Sequence, residues 1–159
     1  MMSGLSLPTL SATPPGTPGA PPHSSADRAP AEGPKIGSRI LIVEDEYFVA
    51  LTIEDALVDA GYDVVGVEAS AEAAILRALE AGPDLILMDI RLAGKMDGID
   101  AALELRRHGL RVLFASAHSD DATRERGEEA RPLGWLTKPF SGSELVASVR
   151  RALDRKAQT

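Results

Sequence analysis

The sequence predicts an α/β fold, a doubly wound five-stranded parallel sheet with helices on both faces. Two observations carry this. From Arg39 onward, short apolar runs alternate five times with stretches of helical spacing, within about 120 residues. Where they are clearest, as in "DLILMDI", the runs are continuous rather than alternating, as in strands buried on both faces. Strand-then-helix units joined by right-handed crossovers make the sheet parallel and doubly wound.

In chain order, "RILIV" is the first strand. "EYFVALTIEDALVDAG" follows as a helix, with Phe48, Leu51, Ile53, Ala56, Leu57 and Ala60 at mostly helical spacing and Gly61 as its stop. "YDVVGV" is the second strand. "SAEAAILRALEAG" is a helix capped by Ser70 and stopped by Gly82. "DLILM" is the third strand, and "DGIDAALELRRHG" the helix after it, ending at Gly109. "RVLFA" is the fourth strand, and "SDDATRERGEEAR" a weaker, very polar helix. "GWLT" is a short fifth strand. "SGSELVASVRRALDRK" is the last helix, capped by Ser143 or Ser141, with cations in its last turns where the helix dipole favours them.

Residues 1–38 differ from the rest. They hold eight of the eleven prolines, and their charges, Asp27, Arg28, Glu32 and Lys35, cancel. Such a segment buries too little apolar surface to offset its ordering entropy, so it reads as a disordered tail. The expected domain is therefore 39–155, with a short end at 156–159. The net charge of −7 falls on residues 39–159. It argues against direct nucleic-acid binding, which needs a basic face. Without cysteine there are no disulfides and no thiolate metal sites. No apolar run approaches the length of a membrane span, and the start lacks the features of a signal peptide. A cytoplasmic protein is expected.

In doubly wound sheets, ligands bind beyond the carboxyl ends of the strands. There the sequence places Glu44, Asp45 and Glu46 after the first strand, Asp89 after the third, Ser116 after the fourth and Lys138-Pro139 after the fifth. Burying a carboxylate such as Asp89 is costly unless it is paired. Clustered carboxylates repel, and a hard divalent cation such as Mg²⁺ removes the conflict. Carboxylates also form aspartyl-phosphates, and phosphoryl transfer needs charge neutralisation more than acid–base chemistry. A cation, the Lys138 ammonium and the Ser116 hydroxyl are suited to that. Glu46 reads as an ordinary acid of a first helical turn.

"ILIVEDE", "LILMDI", "VLFASA" and "LTKPF", in this order and spacing, resemble the receiver domain of two-component response regulators over about residues 38–155. The resemblance implies a flavodoxin-like (β/α)5 fold with strand order 2-1-3-4-5. It implies that Asp89 accepts a phosphoryl group from a histidine kinase or a histidine phosphotransfer protein. Glu44, Asp45, Asp89 and the backbone carbonyl of Arg91 would bind Mg²⁺. Ser116 and Lys138 would contact the phosphoryl group, Trp135 would act with Ser116 as the switch aromatic, and the peptide before Pro139 is often cis in this family. Arg91 and His118, two residues past Asp89 and Ser116, would modulate the phosphoryl lifetime. Two departures stand out: "DIRLAGKMDG" has Ala93 or Gly94 where the family has proline, and one extra residue before Gly98.

Catalysis is expected only of its own phosphorylation and autodephosphorylation, and output by binding an unknown downstream protein, in a stand-alone receiver. A homodimer through the last two helices and the fifth strand is a further expectation. The alternative is a docking module of the same fold that works without phosphorylation. Metal-dependent enzymes with acids at strand ends fit less well, because Asp89-Ile90-Arg91 and "VEDE" lack the Asp-x-Asp they use.

Overall fold

A computed structural model describes residues 37–117 and 119–158; the expected tail, up to residue 36, and His118 lie outside the described residues. The elements are β1 (Arg39–Val43), α1 (Tyr47–Asp59), β2 (Asp63–Glu68), α2 (Ala71–Ala81), β3 (Leu85–Asp89), α3 (Gly98–Arg107), β4 (Val112–Ser116), α4 (Asp121–Glu128), β5 (Gly134–Thr137) and α5 (Gly142–Ala157). The strands are parallel, in the order β2-β1-β3-β4-β5.

Alternate residues of the strands feed two cores. Leu41, Val43, Ile86, Met88 and Phe114 meet α2 and α3 through Ala74, Ala78, Ile99, Ala102 and Leu105. Ile40, Ile42, Leu85, Leu87 and Leu113 meet α1 and α5 through Ile53, Leu57, Leu145, Val149 and Leu153. Because both faces are covered, the central strands are apolar except at the end residues Arg39, Asp89 and Ser116. Each fully buried Leu or Ile contributes on the order of 2 kcal/mol.

Local chemistry sets the helix ends. The Ser70 hydroxyl accepts from the Ala73 amide at 3.2 Å, and α2 stops at Gly82 in the left-handed region. Asp97 and Asp100 form a capping box on α3. Ser141, not Ser143, caps α5, in a reciprocal box with Glu144. That helix runs past Arg155 to Ala157.

Helix α1 corrects one expectation. Its buried stripe is Ala50, Ile53 and Leu57, whereas Phe48 is 79% and Leu51 41% exposed. At 3.6 residues per turn, Phe48 lies roughly 200° around the helix from Ala50. The face laid on the sheet is therefore made of smaller residues, and Phe48 was never on it. Helix α4 is also shorter than "SDDATRERGEEAR": Asp120 caps it from outside and it ends at Glu128.

Candidate functional site

Strand register brings the distant residues together. Val43 lies beside Met88, Asp89 beside Ala115, and Ser116 beside Thr137. Glu44, Asp89, Ser116 and Lys138 therefore sit at one edge of the sheet. Asp89 ends β3 and is buried, as are Glu44 and Ser116, while Asp45 is exposed. One carboxylate oxygen each from Glu44, Asp45 and Asp89 lies within 4.8 Å of the others, a spacing a divalent cation could bridge.

The one ammonium of the cluster is shared. Lys138 Nζ donates to Glu44 Oε2 at 2.5 Å and to Asp89 Oδ2 at 3.3 Å. Backbone groups hold three more of the oxygens: the Arg91 amide donates to Asp89 Oδ1 at 3.2 Å, the Ala93 amide to Asp45 Oδ2 at 3.2 Å, and the Glu46 amide to Glu44 Oε1 at 3.1 Å. Glu46 itself is exposed, precedes α1 and makes no side-chain cap.

Burial pushes the Asp89 carboxyl up to about 6; Lys138 pulls it down and Glu44 adds to the rise. Burial alone would lower the Lys138 ammonium, but its bond to Glu44 and the charge of Asp89 hold it above the ordinary lysine value. Desolvated acids crowded around one lysine make a site short of positive charge, which is the condition a divalent cation relieves.

Trp135 is half-buried on β5. Its ring lies 4.8 Å from Phe114, tilted by 37°. Its indole nitrogen donates to Glu128 Oε1 at 2.6 Å, and the Arg124 guanidinium lies 4.9 Å over the ring. Arg91 is exposed beside Asp89, and the Lys138–Pro139 peptide is cis.

Three features escape a reading of the sequence. A Cβ on Gly98 would lie 1.9 Å from the Asp89 carbonyl oxygen, so α3 starts against the backbone of the site and only glycine allows it. A Cβ on Gly127 would lie 2.5 Å from the Trp135 ring. Arg126, within the very polar stretch "SDDATRERGEEAR", is bidentate to Asp97 and also reaches Asp100, each bond at 2.8 Å. Only the "MDG" placement of Gly98 gives any signal in the sequence; the other two are contacts between elements.

A family model for the response regulator receiver domain matches residues 40–150. The transcriptional regulatory protein PdtaR of Mycobacterium tuberculosis is 32% identical over 135 residues, 84% of this chain and 62% of that protein. The match thus spans less than two thirds of PdtaR. The chemotaxis protein CheY of Thermotoga maritima is 30% identical over 118 residues, 73% of this chain and 98% of that protein. Among solved structures, the signal receiver domain of a modulated diguanylate cyclase from Desulfovibrio desulfuricans G20 superimposes with a TM-score of 0.71 at 35% identity, over 76% of this chain and 96% of that one. The sheet order, the family match over most of the chain and these relatives agree: the chain belongs to the response regulator receiver family, with a flavodoxin-like fold.

Proposed function

We propose that this receiver takes a phosphoryl group onto Asp89 from a histidine kinase or a histidine phosphotransfer protein, with Mg²⁺, and signals by phosphorylation-dependent binding to another protein. The observation that carries the reading is the buried Asp89 at the end of β3, with Glu44, Asp45 and the shared Lys138 around it. An Asp89 oxygen attacks phosphorus; the P–O bond forms as the donor's N–P bond breaks, and the imidazole nitrogen leaves with the bonding pair. Glu44, Asp45, Asp89 and the Arg91 carbonyl would hold Mg²⁺, which supplies the positive charge that phosphoryl transfer draws on.

Lys138 then pairs with a phosphoryl oxygen in place of the Asp89 carboxylate, and the Ser116 hydroxyl donates to another. Trp135 responds to that movement of Ser116, passing the change to α4. Arg91 beside the site, with His118, sets how readily water reaches the phosphoryl group. The donor meets the exposed aromatic pair Tyr47 and Phe48, whose rings stand edge to face at 5.4 Å. Exposed apolar groups next to a reacting site mark a contact surface. Phe48 also borders a groove of about 520 Å³ that reaches Lys138 and Phe140. A docking module that works without phosphorylation has no need of this complete set of acids and lysine, which weighs against that alternative.

Acid-quenched intact mass after incubation with Mg²⁺ and a small acyl phosphate tests the proposal. One added phosphoryl group in the wild type and none in Asp89→Asn supports it; equal labelling of both refutes it.

A further inference from the structure

The loop between β3 and α3, residues 90–97, borders the acid cluster at one end and is anchored by α4 at the other. Near its start, the Arg91 amide donates to Asp89 Oδ1 and the Ala93 amide to Asp45 Oδ2, each at 3.2 Å. Gly94 follows at φ 126°, backbone that side chains disfavour. At the loop's end, Asp97 caps α3, its Oδ1 accepting from the Ile99 and Asp100 amides at 2.9 Å each. Arg126 then engages both oxygens of that carboxylate, Nη1 on Oδ2 and Nη2 on Oδ1, each at 2.8 Å.

An aspartate cap is complete with the amides of its own helix. The Arg126 fork adds something else: two parallel bonds fix the plane of the carboxylate, and with it the Asp97 backbone. That backbone has little room. The Gly98 amide donates to the Ile90 carbonyl at 2.9 Å, and a Cβ on Gly98 would lie 1.9 Å from the Asp89 carbonyl oxygen. A displacement of Asp97-Gly98 is therefore passed to residues 89–91. The third bond of Arg126, to Asp100 at 2.8 Å, ties α4 to the body of α3 instead.

We propose that Arg126 is a positioning residue for the metal position. Through Asp97 it sets the β3–α3 loop, so that the Arg91 carbonyl and Asp45 stay where a divalent cation can use them together with Asp89. This rests on the metal role proposed above. Arg126 bonds to none of the proposed ligands, so its effect is on cation affinity. Groups that bond directly to a metal ligand are worth about 10–100-fold in affinity, and Arg126, acting through the loop, should be worth about fivefold.

The rival reading is that Arg126 only fastens α4 to α3. The test separates the two on the full chain. The cation-free protein is melted across a series of Mg²⁺ concentrations, and the rise in melting temperature gives the dissociation constant for Mg²⁺. Arg126→Ala should weaken binding about fivefold, and Arg126→Lys about threefold, because an ammonium is a point donor without the fork. Asp100→Asn, which weakens only the tie to the body of α3, should stay within about twofold of the wild type. Wild-type affinity in every folded Arg126 variant would overturn the proposal. So would a loss in Asp100→Asn as large as in Arg126→Ala, since loosening α4 would then suffice. In either case the metal role stands if Mg²⁺ stabilises the wild type; a wild type unmoved by Mg²⁺ would overturn both.

Discussion

Asp89 shows how one residue carries two opposed demands. Its burial raises the folded-state pKa from 3.8 to about 6. A carboxylate raised on folding makes the native state bind the proton more tightly than the unfolded chain. Stability from this group is therefore present at low pH and lost as pH rises through about 6. In the cation-free protein at pH 7.5, Asp89→Asn is expected to raise the melting temperature by about a few degrees, with the gain vanishing near pH 4. A scan in chelator at both pH values checks this. Gly98 works differently, through backbone proximity. Gly98→Ala drives a Cβ into the Asp89 carbonyl and is expected to cost about 3 kcal/mol or more, read as a shifted denaturation midpoint. The convergence of Asp89, Glu44 and Lys138 was legible because acids and a lysine directly follow apolar runs. The constraint on Gly98 was legible only as the glycine of "MDG"; its contact with the Asp89 carbonyl joins residues of different elements and was not.

Among the helices, α4 is held least by apolar packing. Its one buried residue is Gly127, and it is tied down by Arg126 and by Trp135 through Glu128. Burial acts to raise the Asp97 carboxyl, but Arg126 and the amides of α3 outweigh it and hold it below the ordinary value. A carboxylate lowered on folding contributes stability at neutral pH that is lost as pH falls through its folded value. Arg126→Ala is expected to cost about 1 kcal/mol at pH 7, since the pair is partly exposed, and less in acid. Urea melts at the two pH values measure it. The strands, the helix order and the caps at Ser70, Gly82 and Ser141 were readable, because each depends on residues close in sequence. The face of α1 and the anchoring of α4 were not. The first depends on how the helix lies on the sheet, and the second on pairs spanning 26 and 29 positions.

Across the whole molecule, the sheet edge separates two surfaces. Tyr47 and Phe48 stand on the α1 side, and an arginine-lined cavity lies on the α4–β5–α5 side. Under the proposed function, the first surface meets the phosphoryl donor. Phe48→Ala is accordingly expected to slow phosphoryl transfer from a donor protein by about tenfold or more while leaving labelling by a small acyl phosphate unchanged; parallel time courses measure both. Equal slowing of the two would place Phe48 in the chemistry instead. The central claim is that the phosphoryl group rests on Asp89 itself. Borohydride reduces an aspartyl-phosphate to homoserine, so reduction of the labelled chain followed by peptide mass mapping locates it. Homoserine at position 89 is the expected result. Homoserine at position 45, or labelling that leaves position 89 unmodified, would contradict the account.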